Sequence, residues 1–351
     1  MRDKGQETRD KRHGSRKAPS CPPHECRGRI GQHKCVRTEC VGRDEYRERI
    51  KCSIGVIAHN EEKNIADLLY ILLNQFLSKV SIDEILVISS GSTDKTDKIV
   101  QKMAKEYDKI KLYTQNERKG KSSAINLFLS KAKNDILIIE SADTLPSLDT
   151  VERLVSPLKK TEIGMTGVRP IPVNKSENFV GFAVNLLWKM HHQMAMFRPK
   201  LGEMIAFKKV FDSIPEKSAV DEASIEALIT KAGLKCLYIS NAIIRNKGPE
   251  TLPDFIKQRK RIAIGHQWLK QNQNYSVTSN QWSLLCGLYL KECFTNPKDI
   301  VYITGTAKLE LYCRILGFID FHFKKSNPFI WDMIESSKDL NIAKQEKEKD
   351  Y

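Results

Sequence analysis

The 351-residue chain has no run of about 18 uncharged apolar residues, so nothing in it reads as a membrane-spanning helix. Its first residues are polar throughout and lack the apolar core of a secretory signal. No strand-like segment runs into G-x-G-x-x-G, which disfavours a dinucleotide-binding dehydrogenase. Gly120-Lys121-Ser122-Ser123 imitates the end of a P-loop, but Gln115 stands where that loop needs its first glycine. Aromatics make up 8% and do not interleave with the basic residues, which disfavours a nucleic-acid partner. No internal repeat is found.

What is present suits a globular protein with a sizeable core: 40% apolar and 29% charged residues. The net charge is +15, of which +7 falls in residues 1–51. A basic surface favours anionic partners such as nucleotide phosphates or lipid headgroups, although a solvated surface accounts for most of the charge by itself. Of nine cysteines, Cys52, Cys236, Cys286, Cys293 and Cys313 stand singly in apolar contexts. They read as reduced, buried thiols of a cytoplasmic protein. Cys21, Cys26, Cys35 and Cys40 follow a C-x4-C-x8-C-x4-C spacing, with His24 and His33 between them. Zinc ligands are usually paired about two to four residues apart. Residues 1–50 are therefore read as a basic, disordered leader with incidental cysteines, and a zinc site is the alternative.

Order begins near Cys52. Strands are predicted at 52–60, 83–90, 110–116 and 135–141. Helices are predicted between them at 61–77 (acidic in its first turn), 91–107 (opened by Ser and Thr caps) and 120–133. Strands alternating with helices of this length form βαβ units and a mainly parallel sheet, which binds ligands at the carboxyl ends of its strands. Past Pro146 the pattern loosens. Segments 201–211 and 234–240 look like further strands or strand–helix junctions. Residues 221–233 form an amphipathic helix stopped by Gly233, and 252–271 a long basic helix. The expected organisation is an α/β domain over 51–275, a helical extension over 276–335 and a charged tail over 336–351.

The strand tips carry chemistry. His59-Asn60-Glu61-Glu62, SSGSTDKT from Ser89, NERKGKSSAIN from Asn116 and ESADTLP from Glu140 closely resemble family 2 glycosyltransferases, which have the GT-A fold. The resemblance continues through LGEMIAFKK, DEASIEALITKAG and NKGPETLPDFIKQRKRIAIGH, over residues 52–270, with a weaker echo to 335. Any one motif is weak, but the set in the family's order is specific.

The resemblance implies a nucleotide-diphosphate sugar donor, a glycan or lipid-linked acceptor, and a divalent cation, Mg²⁺ or Mn²⁺, that neutralises the leaving diphosphate. Asp143 matches the last aspartate of the family's D-x-D metal motif. Ser141 and Ala142 occupy its first two positions, so one carboxylate is missing. Ala58, Asn60, Glu61, Ser89, Ser90 and Lys121 are placed at the nucleotide. The family commonly has two acids where Ser89 and Ser90 stand, so the base is left open. Glu61 either meets the ribose or caps its helix, and Asp94 caps or packs the helix that follows it. Glu222 matches the catalytic acid–base position, where it would take the acceptor hydroxyl's proton, with Asp221 beside it or capping its helix. Gln258 and Arg261 match the Q-x-x-R-W motif of processive members, and Ile262 replaces the tryptophan, which argues against a processive synthase. Arg261 is placed at the diphosphate. Arg259, Lys260 and His266 either join it or form a basic face toward membrane or solvent. His191 and His192 point about 100° apart on a helix and are read as core or acceptor-pocket residues.

Residues 299–323 are too charged to span a bilayer. They would either lie in its interface or pack on the catalytic domain. The expected location is cytoplasmic, possible at the inner membrane face. The rival reading is a non-catalytic nucleotide-sugar scaffold, motivated by Ser141, Ser89 and Ser90.

Overall fold

The computed structural model describes residues 49–325, together with Phe329, Ser336 and Leu340. Cys21, Cys26, Cys35 and Cys40, the leader except its last two residues, and all of the charged tail except Ser336 and Leu340 lie outside the described residues.

The first half is built as the periodicity predicts. Strands β1 (Ile50–Ala58), β2 (Val80–Ser90), β3 (Ile110–Gln115) and β4 (Ile136–Ser141) alternate with helices α1 (Ile65–Leu73), α2 (Thr96–Glu106) and α3 (Lys121–Lys131). After the short β5 (Thr144–Pro146) come α4 (Thr150–Val155), β6 (Ile163–Pro172), α5 (Phe179–Phe197), β7 (Ile205–Lys208), α6 (Asp221–Lys231) and β8 (Lys235–Asn246). Helices α7 (Leu252–Gln273), α8 (Trp282–Thr295) and α9 (Ile300–His322) complete the described chain.

All eight strands join one sheet in the order β3-β2-β1-β4-β7-β6-β8-β5. The β3-β2-β1-β4 half is parallel, and β7 is antiparallel to both of its neighbours. Helices cover both faces, so the central strands are nearly continuous apolar runs. Cys52, Ile54, Val56 and Ala58 of β1 pack toward α1, α2 and α4. Leu86, Ile88, Leu137, Ile139 and Phe207 meet α3 and α6 on the other face. Phe128 of α3, fully buried, lies against Gly55; a Cβ there would sit 2.6 Å from its ring. Parallel register aligns the tips at one edge, with Ala58 beside Ser89 and Ile57 beside Ser141.

Several local expectations are corrected. Helix α1 begins at Ile65 rather than Glu61, because Glu61 and Glu62 are used to tie down the next loop. Helix α2 begins at Thr96 without a Ser or Thr cap, and the Asp94 carboxylate accepts from the Thr96 N–H instead. Strand β6 and helix α5 fill the stretch where the pattern loosened. Pro170 and Pro172 of β6 lie beyond its pairing with β7 at Met165–Gly167, where no N–H is needed on that side. Of the five single cysteines, Cys52 and Cys313 are buried, Cys236 and Cys293 partly so, and Cys286 is exposed.

The basic face of α7 is turned to α9, not to membrane or solvent. Arg259 donates through Nε and Nη2 to the Glu310 carboxylate at 2.8 Å each, and Arg314 Nε donates to Glu310 Oε1 at 2.8 Å. Lys260 pairs with Asp320 at 2.9 Å. Helix α9 thus buries Ile303, Thr306, Glu310, Cys313, Gly317 and Asp320. At about 100° per residue these fall on one arc, and the exposed Val301, Leu311, Ile315, Phe318 and Ile319 fall on the opposite one. No helix among the described residues is long and apolar enough to cross a membrane.

Candidate functional site

The tips of β1 and β2 are laced together by short hydrogen bonds. Asn60, in the left-handed region that Asn tolerates (φ 54°), accepts from the Thr93 N–H at 2.7 Å. The Glu61 N–H donates to Thr96 Oγ1 at 2.8 Å, and the Lys95 N–H to the Glu62 carboxylate at 3.0 Å. His59 Nδ1–H donates to the Ser90 carbonyl at 2.7 Å. Gly91 closes the β2 tip at φ 62°, and a Cβ there would lie 2.8 Å from the Arg118 nitrogen. The glycine lets the 116–120 loop fold against this tip.

Below the tips opens a cleft of about 390 Å³. Ala58, Glu61, Ser90, Lys121, Ser141, Asp143, Glu222, Gln258 and Arg261 line it, from six separate segments. Asn60, Ser89, Ala142 and Asp221 do not line it. Asn60 braces the β2 loop, Ser89 Oγ donates to Ser92 Oγ at 2.8 Å, and the Ala142 N–H donates to the Ile57 carbonyl at 3.0 Å. Ser90 Oγ is buried with no hydrogen-bond partner, which leaves a polar atom for a ligand to meet.

Asp221 and Glu222 open α6 and part by about 100°. Asp221 is fully buried, with Oδ1 lying 2.5 Å from Ser122 Oγ, and so locks α6 to α3. Burial pushes its carboxyl up to about 6 against the pull of Lys121. Glu222 faces the cleft, where its carboxylate takes a 2.6 Å ion pair from Lys121. Burial opposes ionisation, but the Lys121 charge and hydrogen bond outweigh it and hold Glu222 below the ordinary carboxylate range. Lys121 is therefore not a surface charge, since its side chain is largely buried.

Asp143 follows β4 and is steadied by β5, whose Thr144 pairs with Asn246 of β8. Glu140 points away from the cleft, fully buried, with Thr144 Oγ1 3.2 Å from its Oε1. A further carboxylate, Glu203, lines the cleft just before β7 at φ 62° and accepts from Asn246 Nδ2 at 3.1 Å. Burial, then Asp143, then Glu222, push Glu203 up to about 7. Sequence reasoning missed it; the one available signal was an acid at the entrance to an apolar strand. Arg261 feels the pull of Asp143, Asp221 and Glu222, and burial still brings it down to about 10.

No group of three or more His, Cys, Asp or Glu side chains poised for a metal occurs among the described residues. Asp143 and Glu203 nevertheless repel one another in the cleft. One or two carboxylates with open positions for diphosphate oxygens form a donor set that suits Mg²⁺ or Mn²⁺.

The two adjacent histidines part as helical geometry requires. His191 lines the cleft with its ring edge-on to Trp188, whereas His192 Nδ1 lies 2.9 Å from the Tyr238 hydroxyl.

Residues 53–226 match the family model described as Glycosyl transferase family 2. A probable glycosyltransferase, YdaM, of Bacillus subtilis is 25% identical over 243 residues, covering 65% of this chain and 58% of that protein. A beta-monoglucosyldiacylglycerol synthase of Nostoc is 35% identical over 129 residues, covering 36% of this chain and 27% of that protein. The chain thus spans less than two thirds of these relatives. The mannosyltransferase PcManGT of Pyrobaculum calidifontis, solved with GDP-Man and Mn²⁺, shares the fold at a TM-score of 0.59 and 20% identity, over 79% of this chain and 88% of that one.

Proposed function

This chain belongs to glycosyl transferase family 2, and from that premise we propose that it transfers a sugar from a nucleotide-diphosphate donor to an acceptor hydroxyl with inversion. One observation carries the reading: Lys121, Asp143, Glu222 and Arg261 come from distant segments to line a single cleft at the carboxyl ends of the parallel strands. The base and ribose would lie along Ala58, Glu61 and Ser90. Arg261 and Lys121 would face the diphosphate. Asp143 and Glu203 would hold a divalent cation, which supplies charge neutralisation to the leaving diphosphate.

Glu222 would take the hydroxyl proton as the oxygen attacks the anomeric carbon. A diphosphate arriving beside Lys121 would draw that ammonium from Glu222 and raise the carboxylate's affinity for the proton. The ion pair would thus keep the base ionised until the donor is bound.

The outward apolar arc of α9, with the exposed Lys308 among it, suits adsorption to an anionic membrane surface. A lipid-linked acceptor would then be reached from the inner membrane face. The scaffold reading rests on Ser141, which removes one carboxylate of the metal motif.

The test is turnover. The purified chain would be incubated with UDP-, GDP- and dTDP-sugars, Mn²⁺ and a membrane lipid extract, and the product's anomeric configuration read by NMR. An inverted glycoside from one donor supports the proposal. Donor binding without turnover, whatever acceptor is added, would leave the scaffold reading in its place.

A further inference from the structure

The inner end of the cleft has no part in that reading. Beyond Glu222, between α5, α7 and α9, Leu187, Trp188 and Met194 form an apolar wall, and Lys200, His191 and His266 the polar floor. Lys200 makes no hydrogen bond or ion pair with any other described residue; its surroundings are given by the charges around it. Arg259 and Arg314 both face it, and both are committed to the single carboxylate of Glu310. Glu226, the other acid facing Lys200, accepts from the Tyr275 hydroxyl at 2.7 Å. His191 Nδ1 is buried without a partner in a side chain only 7% exposed.

Among the described residues the floor therefore holds more cationic than anionic groups, beside an apolar wall. A cation drawn out of water without a paired carboxylate is costly unless a counter-charge arrives. A bound anion would supply that counter-charge.

We infer that the acceptor carries an anionic group, a phosphate or carboxylate, which Lys200 anchors with the His191 and His266 rings as hydrogen-bond partners. The inference rests on the transferase reading of the same cleft, and it names the acceptor's chemical class. The anion is an anchor and not the attacking atom. Glu226, which faces Lys200, is one helical turn along α6 from Glu222, about 6 Å, so the attacking hydroxyl lies apart from the anion. The apolar wall beside the floor would hold the body of the same molecule.

Physical chemistry adds a pH signature. Burial, followed by Arg259 and Arg314, draws the Lys200 ammonium down to about 7, against the pull of Glu310 and Glu226. Burial and the neighbouring cations, Lys200 first among them, keep His191 and His266 well below their usual range. A bound anion raises all three, so its binding takes up protons and weakens as pH rises above about 7.

The test is calorimetry on the full chain, with and without UDP and Mn²⁺. Three probes are compared: glycerol 3-phosphate, octyl phosphate and uncharged octyl glucoside. The expected result is that an anionic probe binds at least about tenfold more tightly than octyl glucoside, whether or not UDP is bound. Lys200→Met should lose about tenfold, and Lys200→Arg should stay within about threefold of wild type. Lys200→Met removes a half-buried charge that makes no ion pair with any other described residue, so its thermal midpoint should not fall.

If octyl phosphate binds more tightly than glycerol 3-phosphate the acceptor is lipid-like, and the reverse order names a water-soluble one. Either supports the anchor. An unchanged affinity in Lys200→Met, equal binding of octyl glucoside, or displacement of the anion by UDP would overturn it. Failure of the transferase reading appears separately, as no UDP binding in wild type, and leaves the anion arm readable.

Discussion

The two ends of this cleft are built on opposite principles. At the strand tips Lys121 meets Glu222 and Asp221 meets Ser122, while Asp143 and Glu203 repel one another. At the inner end two guanidiniums share one carboxylate, Lys200 makes no ion pair with any other described residue although Glu226 faces it, and the wall is apolar. The contrast teaches what each end awaits. The tips hold a carboxylate pair that a cation would settle, whereas at the inner end the cationic groups outnumber the acids facing them.

The largest expected effect breaks the tip end at its base. Glu222→Gln should lower transfer about 10³-fold, in line with general-base contributions of roughly 10²–10⁴. Donor affinity, followed by calorimetry, should change by less than about fivefold; an equal loss in binding would assign Glu222 to the donor instead.

Next in size is the clamp behind the inner end. Glu310→Ala strands Arg259 and Arg314 inside the fold and should cost about 3 kcal/mol in urea unfolding. Those two arginines hold the Glu310 carboxyl at about 2, below its ordinary 4.5. Its contribution to stability is therefore complete above pH 4.5 and is lost as pH falls from there toward 2. A wild-type acid-unfolding curve that the variant reproduces over that window would contradict this.

A smaller effect sharpens the role of Lys121. Removing it as Lys121→Met releases Glu222 from the charge that depresses its carboxyl. The acidic limb of the transfer profile, where Glu222 must be ionised, should move to higher pH. The rate above that limb should fall about tenfold as the diphosphate loses one cation, a loss of about 1.4 kcal/mol. An unmoved limb would separate Lys121 from the base.

The smallest effect concerns the outer face of α9. Phe318→Ser should weaken sedimentation with anionic phosphatidylglycerol vesicles about fivefold, since one buried aromatic is worth about 1.5–3 kcal/mol when fully inserted and less at an interface. Equal sedimentation would argue that this face meets something other than a membrane.

The same contrast explains what could be read in the sequence. The tip end is made of short segments, each with its own period and its own turn residues. The four strands from Ile50 to Ser141, and the motifs that carry Asp143, Glu222 and Arg261 to one cleft, were therefore legible as a series of local patterns. The inner end joins α5, the 200–203 turn, α7 and α9, up to about a hundred residues apart, and no local pattern announces that Arg259 will meet Glu310. Strand β6 was hidden by its prolines, which stand where its neighbour has already ended. Glu203 and Lys200 flank a turn that looks like an ordinary loop until the fold aims both into the cleft.

On this reading the tip end receives a nucleotide-diphosphate sugar through a cation held at Asp143. Its most direct test is calorimetric titration of UDP-, GDP- and dTDP-sugars into the wild type and Asp143→Ala, each with and without Mn²⁺. One donor class should bind in the presence of Mn²⁺, and Asp143→Ala or removal of the metal should weaken it at least about tenfold, or about 1.4 kcal/mol. Binding indifferent to both Mn²⁺ and Asp143, or no binding of any donor, would contradict it.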